Sequence, residues 1–199
     1  MMISPETYVK LELEGLSNDE IISKIHGLKR EVARLKREAE YVGLEDEEPV
    51  IVCPSPDVRI TMQRDYIEAA RKFLEEQGGE LPLTKAEIRA RKFEDDLKYV
   101  EKIRVEIWYA LSPESVSREF SNSDPDWDEL IGLLSYLHIG DWKPYYEPKD
   151  VVVNDGVSWS VEFEYTNGIR KRKFVGSNKF PYNFGRFMET LGIDRVEKI

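Results

Sequence analysis

Residues 157–175 read VSWSVEFEYTNGIRKRKFV. Val157, Trp159, Val161, Phe163 and Tyr165 alternate with Ser158, Ser160, Glu162 and Glu164. A period of two places one face of a strand in a core and the other in water. Asn167-Gly168 then predicts a type I′ turn, in which both central residues take positive φ. Counting outward from that turn, Thr166 faces Ile169, Glu164 faces Lys171 and Glu162 faces Lys173. On the other surface Tyr165 faces Arg170, Phe163 faces Arg172 and Val161 faces Phe174. Opposite charges facing each other across an antiparallel pair stabilise it by about 0.2–1 kcal/mol each. The basic run 170–173 therefore reads as a hairpin surface, with lysines on glutamates and arginines over rings, and not as a nucleic-acid patch.

The flanks extend this to an antiparallel sheet. Ile103, Val105, Ile107 and Tyr109 alternate with Arg104, Glu106 and Trp108, which predicts another strand. Ser123-Asp124-Pro125 predicts a helix start with proline in the first turn, followed by an apolar face of Trp127, Leu130, Ile131, Leu134 and Leu137. His138 is expected at the end of that helix, against the negative pole of its dipole, with Gly140 as the stop. A last helix is predicted over 183–191, with Phe184, Phe187, Met188 and Leu191 inward.

Before residue 100 the period changes to that of helices. Ser17 and Glu20 have capping-box spacing. Ile21, Ile25, Leu28, Val32, Leu35, Ala39 and Val42 follow as a heptad seam, ended by Gly43. This seam is covered either by the chain itself or by a second copy, so helix 18–42 permits a homodimer. A second helix is predicted over 58–77, with the stripe Met62, Tyr66, Ala69 and Phe73 and with Ile67, Ala70 and Leu74 beside it. A third starts at the capping box Thr84/Glu87, with Ile88, Phe93 and Leu97 inward. The expected architecture is α+β. Residues 1–99 form a module of about three helices with an acidic loop at 44–57, and residues 100–199 form a small antiparallel sheet with two helices and the hairpin 157–175.

Composition removes several reaction classes. The chain has one cysteine, Cys53, and two histidines, His26 and His138. Cys53 lies in an apolar run and reads as a buried thiol. No zinc tetrad or HExxH spacing is present. GxSxG, GxxxxGK[ST] and GxGxxG are also missing, so no catalytic residue, cofactor or metal is expected. No apolar run is long enough to cross a bilayer. The first residues lack the basic start and apolar run of a signal peptide, so a cytoplasmic location is expected.

Net charge is −10. Two blocks hold most of it: residues 44–57 carry −5 and residues 100–150 carry −6. Both repel a phosphate backbone, which disfavours direct nucleic-acid binding and favours a basic partner. Glu45, Asp46, Glu47 and Glu48 are spaced along a loop in a way that imitates backbone phosphates. Asp124, Asp126, Asp128 and Glu129 crowd one helix start but lack the glycine and the twelfth-position glutamate of a calcium loop. These eight carboxylates are the candidate partner-binding residues. An alternative ligand site for a small nucleotide combines Arg170 and Arg172 with Gly176, Asn178 and Tyr182. A second alternative is a metal-dependent nuclease using the carboxylates.

Three stretches carry a resemblance: His138-Ile139-Gly140-Asp141-Trp142, Asp155-Gly156 before Trp159, and Gly176-Ser177-Asn178 followed by Phe180-Pro181-Tyr182-Asn183-Phe184. They resemble an uncharacterised domain of Gram-positive bacteria and their mobile elements. The first half is similar to the helical leader found with that domain in phage and integrative-element genes. The resemblance implies a setting and no chemistry. In that setting small acidic proteins are often inhibitors of host defence, anti-CRISPR proteins among them. The resulting expectation is a non-enzymatic protein that occupies the basic groove of a nucleic-acid-handling partner such as a Cas nuclease.

Overall fold

The computed structural model describes residues 3–40, 54–110, 115–148 and 156–193. Val42, Gly43, the acidic run Glu45–Glu48 and Cys53 lie outside the described residues. The described chain is α+β, with six helices and one five-stranded sheet. Its described residues form two compact units, one of 3–39 and 54–83 and the other of Glu40 and the residues from Thr84 on, so that α4 groups with the sheet.

The first unit holds α1 (Pro5–Glu12), α2 (Asn18–Ala39) and α3 (Pro56–Glu76). Ser17 and Glu20 form the predicted box. Ser17 N donates to Glu20 Oε2 at 2.8 Å, and Glu20 N donates to Ser17 Oγ at 3.4 Å. Ile21, Ile25, Val32 and Leu35 of the seam are buried. Their cover is α3, which runs antiparallel to α2. Arg59, near the start of α3, reaches Glu31 at 3.6 Å, while Gly79 beyond its end lies against Asn18 at the start of α2. Four of the seam residues are thus covered by the chain itself, while Leu28 and Ala39 stay half-buried. The buried line of α3 is Ile60, Ile67, Ala70 and Leu74, with Met62, Ala69 and Phe73 only half-buried. Tyr66 is turned to α1, a helix the sequence analysis did not predict. There its ring stacks on Tyr8 at 4.4 Å, and its hydroxyl donates to the Ile3 carbonyl at 2.9 Å.

The second unit begins with α4 (Lys85–Asp96), capped by the predicted Thr84/Glu87 box. Its sequence reads as part of the helical module, but its apolar face belongs to the sheet. Phe93 meets Phe163 edge-on at 5.2 Å and Phe174 at 5.9 Å. Ile88, expected inward, is 54% exposed. After α4 come β1 (Val100–Tyr109), β2 (Ser115–Ser121), α5 (Trp127–Ser135), β3 (Tyr145–Tyr146), β4 (Val157–Tyr165), β5 (Arg172–Ser177) and α6 (Phe184–Thr190). The sheet order is β2-β1-β4-β5-β3. All pairs are antiparallel except β3 with β5, so the sheet is mixed.

The hairpin keeps the predicted register: Val161 pairs with Phe174, Glu162 with Lys173 and Phe163 with Arg172. Its tip differs. Gly168 takes φ +76° but Asn167 does not take positive φ, so the turn is not type I′. Pairing with β5 stops at Phe163, and the end of β4 pairs with β1 instead, through Tyr165 with Val100 and Thr166 N donating to the Tyr99 carbonyl at 2.9 Å. Lys171 rather than Lys173 serves the glutamates, reaching Glu162 at 3.4 Å and also pairing with Glu164.

Two further expectations are corrected around α5. Asp124 does not cap the helix. Its carboxylate accepts from Ser121 N at 2.8 Å, closing a turn, and the helix starts three residues later at Trp127, with Pro125 outside it. His138 does not sit on the helix dipole either. The helix has already ended, and His138 takes a left-handed φ of +49° with Nδ1 3.0 Å from Glu94 Oε1. Gly140 is not a helix stop but a contact point. A Cβ there would fall 2.6 Å from the Ala90 carbonyl oxygen, so only glycine lets this turn touch the backbone of α4.

Candidate partner-binding surface

One face of the sheet is covered by α4 and α6. Trp142, Trp159, Phe174, Phe180, Phe184 and Phe187 meet there as a cluster of edge-on, stacked and tilted rings. Burying large rings in such pairs is a major stabilising contribution to a small domain. Trp142 Nε1 donates to Asn183 Oδ1 at 2.8 Å, and Asn183 Nδ2 donates in turn to the Leu137 carbonyl at 2.5 Å. Trp159 Nε1 donates to the Lys179 carbonyl at 2.9 Å. Trp142, Phe180, Asn183 and Phe184, singled out in the sequence, are part of this core.

That placement bears on the alternative ligand site. The space a Cβ would occupy at Gly176 is filled by the Trp159 ring, with Nε1 2.3 Å away. Asn178 takes φ +51°, and its Oδ1 accepts from Val157 N at 2.7 Å. Both residues are committed to folding. Arg172 lies over the Phe93 ring at 5.2 Å and 3.9 Å from the buried Asp96 carboxylate. Arg170 is exposed, and Tyr182 is half-buried. A groove of about 470 Å³ exists in the first unit, lined by Tyr8, Leu16, Glu20, Ser23, Lys24, Gly27 and Leu28. Its one cation, Lys24, is paired with Glu12 at 2.7 Å, which raises the lysine pKa. Among the described residues no three His, Cys, Asp or Glu side chains are grouped to hold a metal ion.

Asp124, Asp126, Asp128 and Glu129 are all exposed where α5 begins. The helix dipole favours carboxylates at this end. Among the described residues no lysine or arginine pairs with any of the four. Their charge is thus presented to solvent. Glu45, Asp46, Glu47 and Glu48, the other half of the predicted acidic surface, lie outside the described residues.

Among the described residues the second face of the sheet is lined largely by polar side chains, and it has two unlike halves. Toward Lys102 it is a lattice of ion pairs. Glu119 meets Lys102 at 2.8 Å and Arg104 at 3.0 Å, and Arg104 also reaches Glu162 at 3.6 Å. Hydrogen bonds from Lys102 and then Arg104 hold the Glu119 carboxyl below its ordinary pKa, and Lys171 does the same for Glu164. Toward Trp108 the register aligns Ser117, Glu106, Ser160, Val175 and Tyr145 in one row across the strands, with Ser115, Trp108, Ser158 and Ser177 in the next. Trp108 is 43% exposed and Tyr145 72%. Periodicity does not reveal this half, because β2, which completes it, reads SVSREFS: too polar and too short of apolar alternation to announce a strand. Comparisons with known protein families, with curated proteins and with solved structures returned no match.

Proposed function

We propose that this is a non-enzymatic acidic binding protein that docks on the cationic groove of a nucleic-acid-handling protein. In its specific form it is an anti-CRISPR-like inhibitor acting on a host-defence nuclease. The observation that carries this reading is the exposed start of α5, where Asp124, Asp126, Asp128 and Glu129 have no cationic partner among the described residues. Carboxylates left unneutralised on a surface attract a positive channel and speed its association. The nucleotide-signal reading lacks such support, because Gly176 and Asn178 are occupied within the fold.

The test is a pull-down of a Cas nuclease with the full chain, at low salt and at 0.5 M salt. The wild type is compared with a variant combining Asp124→Asn, Asp126→Asn, Asp128→Asn and Glu129→Gln. The reading requires capture at low salt that fades at 0.5 M, where the screening length is about 4 Å, and that is lost in the variant. Capture indifferent to both, or no capture, overturns it.

A further inference from the structure

The hydroxyl-rich half of the open sheet face contains one formal charge, Glu106. It differs from the other carboxylates on that face. Glu119, Glu162 and Glu164 all pair with lysine or arginine. Glu106 has no cationic partner among the described residues, and its one hydrogen bond comes from Ser160 Oγ at 3.3 Å. Two residues along the same strand, on the same face and about 7 Å away, stands Trp108. It is the one exposed tryptophan: Trp127, Trp142 and Trp159 are buried. Ser115, Ser117 and Ser158 border the pair in the neighbouring strands and are exposed, while Ser160, opposite Glu106, is buried.

We infer that Glu106 and Trp108 form a docking site for an arginine side chain of a protein partner. Charge and shape complementarity favour this occupant. A guanidinium is planar and weakly hydrated, so it stacks on an indole face while its edge makes paired hydrogen bonds to a carboxylate. The spacing of the two side chains suits one such group, and the serine hydroxyls around it are small, uncharged and able to bond a partner backbone. A lysine ammonium has neither the flat face nor the fork. A nucleic-acid backbone is repelled, because this half of the face contains a carboxylate and no cation. Tryptophan and arginine are also the side chains that most often dominate protein interfaces energetically. The inference goes beyond the α5 reading and does not rest on it. Trp108 pairs with Ser115 at one end of β2, and the acidic turn follows Ser121 at the other, about 20 Å along the strand.

The experiment uses the full chain at 0.15 M salt with three probes: a nona-arginine peptide, a nona-lysine peptide and cellopentaose. Acrylamide quenching of tryptophan fluorescence reports Trp108, and calorimetry gives the affinities. Nona-arginine is expected to shield Trp108 and to bind at least about five-fold more tightly than nona-lysine. Glu106→Gln and Trp108→Ser are each expected to weaken it about ten-fold. Circular dichroism checks that both variants fold, as expected for changes on an open face. The four-fold α5 variant should keep both the shielding and the preference for arginine. Equal affinity for the two peptides, wild-type affinity in Glu106→Gln and Trp108→Ser, or equal shielding by cellopentaose overturns the inference. Loss of nona-arginine binding in the α5 variant alone also overturns it, and leaves the acidic-helix reading standing. Loss in Glu106→Gln alone supports it, whatever the pull-down returns.

Discussion

The two faces of β4 differ in what their residues are for. Trp159, Val161 and Phe163 are buried in a network of rings, whereas Ser158 is exposed and Glu162 joins a surface lattice of charges. Three of the four tryptophans, the asparagines in tight places and the Gly-Ser-Asn turn fall on the covered face and are used in folding, while Trp108 stands on the other. Serines and charged residues dominate the other face, where Trp108 and Tyr145 are exposed. Three of the four tryptophans hold the sheet, so rarity in a sequence does not by itself mark a site.

The largest effect that sharpens this contrast comes from Trp159→Ala. Removing a fully buried ring should cost about 3–5 kcal/mol in urea unfolding. Gly176→Val should follow at about 1–3 kcal/mol, since the new side chain meets the Trp159 ring. A wild-type midpoint for either would mean that the covered face is not the core it looks to be. Asn183→Ala strands the buried Trp142 N–H, and the expected loss is about 1–3 kcal/mol. Thr84→Ala breaks a capping box, which is worth about 1 kcal/mol. The smallest changes should come from the open face, where Glu106→Gln and Trp108→Ser should stay within about 0.5 kcal/mol of wild type.

Tyr165 supplies a test with a pH axis. Its hydroxyl is buried with no hydrogen-bond partner among the described residues, and burial pushes its pKa up to about 12, with Asp96 adding to the shift and Arg172 opposing it. The folded pKa exceeds the unfolded value near 10, so this contribution to stability is complete below pH 10. It is lost as pH rises from there toward 12. Tyr165→Phe should leave stability at pH 7 unchanged or raise it by up to about 1 kcal/mol. It should also flatten the decline above pH 10. Denaturation midpoints across pH 7–11 decide the matter, and an alkaline slope identical in both proteins would contradict it.

What could be read from the sequence was what depends on local pattern. The heptad seam, both capping boxes and the hairpin register follow from spacing alone, because side-chain direction is set by helix and strand geometry. The missed features depend on distant partners. β2 has no strong alternation of its own and exists because β1 offers it an edge. Asn167 escapes positive φ because the end of β4 is drawn to β1 and leaves the tip unpaired with β5. α4 looks like the third member of a helical module until Phe93 is seen between Phe163 and Phe174. For the candidate site, the exposure of Asp124, Asp126, Asp128 and Glu129 was legible as a charge run. The pairing of Glu106 with Trp108 was visible as an i, i+2 spacing, but its isolation from lysines and arginines required the register of three strands.

The contact between Gly140 and the backbone of Ala90 has a consequence for gene exchange between related chains. A crossover at codon 100 would join α4 from one parent to a turn from the other, and any side chain at position 140 in the incoming parent would collide with the helix. A crossover at codon 84 would pass helix, turn and sheet to the offspring together, so that boundary is where viable hybrids should be found.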